Sequence, residues 1–127
     1  MSTLKVNTIQ DASGGNASTT AQIEQGRAKA WINFNGTGTI AIRDSYNISS
    51  ITDNGTGNYT VTIDNDMANA NYAVVTGGNR DNNNSNCVPL VKVGATPVVG
   101  SFLLFGGDSN FTFHDYNFVF ASVFGDQ

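Results

Sequence analysis

The chain contains one cysteine, one histidine, one glutamate and two prolines. Each scarcity removes a class of protein. A lone Cys87 excludes an internal disulfide framework and any multi-cysteine metal site. A small thiol in an apolar segment is expected to be a packing residue. Lys and Arg number 6 against 10 Asp and Glu, for a net charge of -4. A nucleic-acid partner needs cations to neutralise phosphates, so none is expected, nor is a basic membrane-binding face. No apolar run approaches the ~18 residues of a membrane span, so no membrane insertion is expected. The segment Met1 to Gln10 lacks the apolar stretch of a signal peptide. The expectation is a chain made in the cytoplasm and not exported by the usual route. The seven Asn-x-Ser/Thr sequons (Asn16, Asn35, Asn47, Asn54, Asn58, Asn83 and Asn110) then carry no meaning as glycosylation sites.

What the chain has instead is 17 Asn, 14 Gly, 13 Thr and 10 Ser among 127 residues. That length fits one domain with a core of its own. Residues 1–25 differ from the rest. Leu4, Val6 and Ile9 are the only large apolar side chains before Ile23, and Asp11-Ala-Ser-Gly-Gly-Asn16 is turn chemistry. Thr19 with Gln22 three residues on forms a capping-box pattern, predicting a short helix over Thr20 to Gln25 ended by Gly26. So short and polar a segment cannot hold itself together in water. It is expected as an extended N-terminal arm.

From residue 26 to 127 the periodicity is that of strands. Trp31 to Asn35 alternates and turns at Gly36-Thr-Gly38 into Thr39 to Arg43, with Ile40 and Ile42 inward. Ile48 to Thr52 turns at Asp53 to Gly57 into Tyr59 to Ile63, with Tyr59, Val61 and Ile63 inward. Further strands are expected at Tyr72 to Thr76, Cys87 to Val93, Pro97 to Phe105, Phe111 to His114 and Asn117 to Phe124. Eight or nine short strands separated by turns predict an all-β fold, an antiparallel, jelly-roll-like β-sandwich. Val98 to Phe105 and Phe118 to Phe124 are apolar on both faces. Only one face of a sandwich strand looks into the core, so the other is expected to be covered by the arm or by another subunit.

Catalytic chemistry is hard to assemble. His114 beside Asp115 has no nucleophile elbow near it, and that pair is expected to open a turn. Glu24 lies in the arm, and Asp53, Asp64, Asp66 and Asp108 sit in turns, where Asp bonds its own backbone. Asp64-Asn-Asp66 and Asp81-Asn-Asn-Asn84 are oxygen-rich, yet the glycine and closing glutamate of a calcium loop are missing. No Gly-Gly pair has phosphate-cradling spacing. No enzyme, cofactor or metal is expected. What remains is a surface: Arg80, Asp81, Asn82, Asn83, Asn84 and Asn86 form a loop able to hydrogen-bond sugars, with Trp31, Tyr46 or Tyr116 as stacking partners.

Four segments carry a resemblance. Ser2 to Asn16 is similar to a segment of tail-fibre and virion structural proteins of tailed bacteriophages, particularly marine phages of cyanobacteria. Gly26-Arg-Ala-Lys-Ala-Trp-Ile-Asn-Phe-Asn-Gly-Thr-Gly-Thr-Ile-Ala-Ile-Arg-Asp-Ser45 resembles the same proteins more distinctively, and Asn47 to Ile63 and Phe120 to Asp126 follow in order. Thr76 to His114 is unmatched. The resemblance implies a non-enzymatic virion protein, homotrimeric and β-structured, located on the particle. Leu4, Val6 and Ile9 would then dock the arm on other virion proteins, and the Arg80–Asn86 loop would meet a host-surface glycan. A capsid decoration protein and a carbohydrate-binding module are the alternatives.

Overall fold

A computed structural model describes residues 1–80, 89–92, 95–108, 110 and 112–127. Ten strands and one helix follow in order: β1 (Thr8–Ile9), β2 (Ser18–Thr19), α1 (Thr20–Gly26), β3 (Ala30–Asn35), β4 (Ala41–Tyr46), β5 (Ile48–Asp53), β6 (Asn58–Ile63), β7 (Ala73–Asn79), β8 (Leu90–Val91), β9 (Ser101–Phe105) and β10 (Phe118–Phe124). Eight of them build two four-stranded antiparallel sheets, ordered β4-β3-β10-β7 and β5-β6-β9-β8. This is the β-sandwich that the alternating segments predict. Cys87 lies outside the described residues.

The core comes from one side of each sheet. Ala30, Ile32 and Phe34 of β3 and Val119, Ala121 and Val123 of β10 meet Tyr59, Val61 and Ile63 of β6 and Phe102 and Leu104 of β9. Each Val, Ile, Leu or Phe among them is worth roughly 1.5–3 kcal/mol on burial. Phe34 and Tyr59 meet edge to face with centroids 5.1 Å apart. The Tyr59 hydroxyl donates toward the Gly36 carbonyl at 3.0 Å and Asp115 Oδ1 at 2.9 Å. Burial and the neighbouring carboxylate drive its pKa far above the ordinary phenol value.

The chain changes sheets where the local chemistry allows a sharp corner. Between β4 and β5 the corner is Asn47, at φ +54°, a region that Asn tolerates better than most residues. Its side chain pegs the corner: Nδ2 donates to the carbonyls of Lys29 and Asn65, both at 3.1 Å, and Oδ1 accepts from Asn65 N at 2.8 Å. The β5–β6 turn closes at Gly57, where a Cβ would stand 2.3 Å from the Gly106 carbonyl. Ile42 pairs with buried Phe34, on the core side as expected, and is 39% exposed because β4 is the sheet edge. The bulge in the β3–β4 pairing falls after it, at Arg43. Ile40 packs against the core.

Residues 1–26 are more structured than a single extended arm. β1 and β2 pair across a turn held by Asp11, whose Oδ1 accepts from the backbone of Ser13 and Gly15. The capping box is present: Thr19 Oγ1 accepts from Gln22 N at 3.2 Å and Gln22 Oε1 accepts from Thr19 N at 2.8 Å. No residue of α1 is buried. The helix is tied to the sandwich by polar contacts, with Gln25 Nε2 donating to Asp126 Oδ1 at 2.7 Å. Lys29, 1% exposed, donates from Nζ to the Glu24 carbonyl at 2.7 Å and to the Glu24 carboxylate.

Candidate functional site

The residues singled out in the sequence are dispersed over the fold. Leu4, Val6 and Ile9 lie in the arm, and all three are exposed, Leu4 at 83%. Arg80 follows β7 and is partly buried, while Asp81, Asn82, Asn83, Asn84 and Asn86 lie outside the described residues. Of the three aromatic candidates, Tyr116 is excluded. It is buried in the core and its hydroxyl donates to the Gly107 carbonyl at 2.8 Å. Trp31 and Tyr46 are brought together, directly opposite each other across β3 and β4.

His114 and Asp115 do not act as a pair. His114 Nε2 stands 3.1 Å from Asp108 Oδ2, whereas Asp115 Oδ1 accepts from Gly57 N at 2.7 Å and from Tyr59. Asp108 Oδ1 also accepts from the backbone of Asn110 and Thr112, both at 2.9 Å. The Thr112 N–H foremost, then His114, holds the Asp108 carboxyl below its usual range. This cluster shapes the loop after β9. Among the described residues no three His, Cys, Asp or Glu side chains converge on a metal position.

The two outward sheet faces differ. On β9 the outward Phe105 is covered: Phe113 meets it edge to face at 4.6 Å, and its ring fills the space where a Cβ on Gly107 would fall. A bridge between Gly107 and Phe113 holds that cover in place. On β10 the second apolar face stays open, with Phe118 and Phe120 about two-fifths exposed.

That open face is built by register. Side chains two apart along a strand, and opposite across neighbouring strands, share a face. Trp31 opposes Tyr46 on one side and Ser122 on the other, and Ser122 opposes Val75. One step along, Asn33 opposes Asp44 and Phe120, and Phe120 opposes Gly77. Because Gly77 has no Cβ, the Phe120 ring leans across β7; a Cβ there would meet it at 2.3 Å. Asn33 Oδ1, in the middle, is buried without a hydrogen-bond partner, which costs about 1–3 kcal/mol when nothing satisfies it.

Both ends of the face are closed by polar groups already engaged. At one end Lys29, on the same side of β3 by alternation, is capped by α1 through Glu24. Arg27 there pairs with Glu24 at 3.2 Å and adjoins Tyr46. At the other end the Arg43 guanidinium lies 4.8 Å from the Phe118 ring centroid and donates to the Phe34 carbonyl at 2.8 Å. Phe120, Asn33, Asp44 and Val75 escaped sequence reasoning because register decides their company. The signal that pointed toward them was the unalternating Phe118-Val-Phe120 run.

No family model matches the chain, and no curated protein or solved structure matches it.

Proposed function

We propose that this chain is a non-enzymatic structural protein of a tailed-phage virion, tail-fibre-like, attached to the particle by its N-terminal arm with the β-sandwich turned outward. The observation that carries the reading is the arm itself. Leu4, Val6, Ile9 and Ile23 are all exposed and α1 buries nothing, while the helix is fixed to the sandwich by Lys29–Glu24 and Gln25–Asp126. A helix of one or two turns and a two-residue ladder gain too little by themselves to stay ordered. Anchors left free on a clamped stalk suit a second protein surface. The resemblance of Ser2 to Asn16 and Gly26 to Ser45 to tail-fibre proteins supports a virion as that surface and a homotrimer as the assembly.

Deleting residues 1–25 tests the reading. The truncated chain is expected to keep its β-sheet circular dichroism and to be missing from assembled particles. Particles that carry the truncated protein at the normal level would overturn the proposal.

A further inference from the structure

The open face of the β4-β3-β10-β7 sheet is a floor of rings and short polar groups with a wall at each end, and its chemistry identifies an occupant. We infer that this face binds a neutral saccharide, stacked on Trp31, Tyr46 and Phe120 and hydrogen-bonded by the Asn33 amide nitrogen and the Asp44 carboxylate. The inference rests on the outward orientation of the sandwich proposed above and gives that surface a ligand.

Three observations select a sugar. The first is the pairing of flat apolar rings with amide and carboxylate groups at neighbouring register positions. Sugar rings present apolar C–H faces and a rim of hydroxyls, which need both kinds of group at once. The second is charge. The cations around the face are committed: Lys29 and Arg27 to Glu24, and Arg43 to Phe118 and the Phe34 carbonyl. Asp44 stands on the face itself as a carboxylate, which accepts from hydroxyls and repels an acidic sugar or a phosphate.

The third is size. Four strands about 4.8 Å apart, each six or seven residues long, present a face of roughly 400 Å². A stable protein partner needs about 800 Å² per side. Stacked sheets lie about 10 Å apart, and a second copy's sheet laid flat here would meet α1 where Glu24 caps Lys29. An oligosaccharide fits between the walls.

Trp31 is the single tryptophan, so its fluorescence reports from this face alone. The experiment titrates the full chain with neutral oligosaccharides of glucose, mannose and galactose, with oligogalacturonate as the acidic comparison. At least one neutral series is expected to change Trp31 emission saturably in the millimolar range or below, and oligogalacturonate to leave it unchanged. Phe120→Ala, at an exposed position, is expected to weaken binding about tenfold or more, a loss of about 1.4 kcal/mol. Calorimetry on Trp31→Ala is expected to agree. No saturable change with any neutral series, equal binding by Phe120→Ala, or binding of the acidic sugar alone would overturn the inference. So would light scattering that finds an oligomer dissociated by Phe120→Ala, because the face would then belong to a second copy. If sugar binding fails while deletion of residues 1–25 still removes the protein from particles, the virion reading stands and this inference falls.

Discussion

Each sheet of the sandwich carries one outward-pointing phenylalanine that lies over a glycine, and the two meet opposite fates. Phe105 packs over Gly107 beneath Phe113 and is 8% exposed; Phe120 leans over Gly77 with no described residue above it and is 44% exposed. Their surroundings differ in the same sense. The outer face of β5-β6-β9-β8 is carpeted by Ser50, Thr52, Thr60 and Thr62, with Leu103 and Leu90 as its aliphatic exceptions. The outer face of β4-β3-β10-β7 holds Trp31, Tyr46, Phe118 and Phe120. A loop covers one ring and leaves the other open, and apolar patches of a few hundred Å² on a monomer are often functional.

The largest separation between the faces is expected from one substitution made on each. Phe105→Ala should destabilise the fold by about 3–5 kcal/mol, because it empties a closed pocket. Phe120→Ala should cost under about 1 kcal/mol. Urea denaturation of the two variants measures the gap, and equal losses would mean that Phe120 is buried in solution.

The glycines beneath the rings should part in the same direction by less. Gly107→Ala drives a Cβ to 2.1 Å from a ring that Phe113 holds in place, and overpacking of this kind costs about 1–3 kcal/mol. Gly77→Ala meets the far edge of a ring free to lift, so its stability should change by less than about 0.5 kcal/mol. The same variant should weaken the saccharide signal, since the ring that stacks would be displaced.

Acid should act on the covered face through Asp108, and separately on the Glu24 carboxylate that caps Lys29. The Asp108 carboxyl titrates below its ordinary range because the folded loop donates to it. Its contribution to stability is therefore complete above the unfolded carboxylate pKa, near 4, and is lost as the pH falls through the lower folded value. Amide exchange in residues 105–108 and 112–114 should rise over that interval and lose this pH dependence in Asp108→Asn. Exchange in β10 should not follow it. The smallest effect is expected from Thr62→Val on the hydroxyl-covered face, within about 0.5 kcal/mol of the parent.

The sequence made legible whatever depends on neighbours along the chain. Thr19 and Gln22 named the capping box, Asp53 to Gly57 named a hairpin turn, and the alternation of Tyr59, Val61 and Ile63 named a core face. It also showed that two strands were apolar on both sides. What covers such a strand depends on distant residues. Phe113 seals Phe105 through the bridge to Gly107, and nothing in the spacing of those residues announces it. Lys29 is buried because α1 folds back over it, which nothing in its spacing announces. Trp31 and Tyr46 were legible as stacking residues, but their union with Asn33, Asp44 and Phe120 needs the order β4-β3-β10-β7, which pairs the last strand with the third. Tyr116 read as a surface ring for the converse reason, since its hydroxyl finds the Gly107 carbonyl only in the folded chain.

Oxidative footprinting of the free chain tests the contrast between the faces most directly. Brief hydroxyl-radical exposure followed by peptide mass analysis should modify Phe120, Phe118 and Tyr46 readily and leave Phe105 untouched. Protection of Phe120 equal to that of Phe105 would contradict the account, because the arm or a second copy would then already occupy the face.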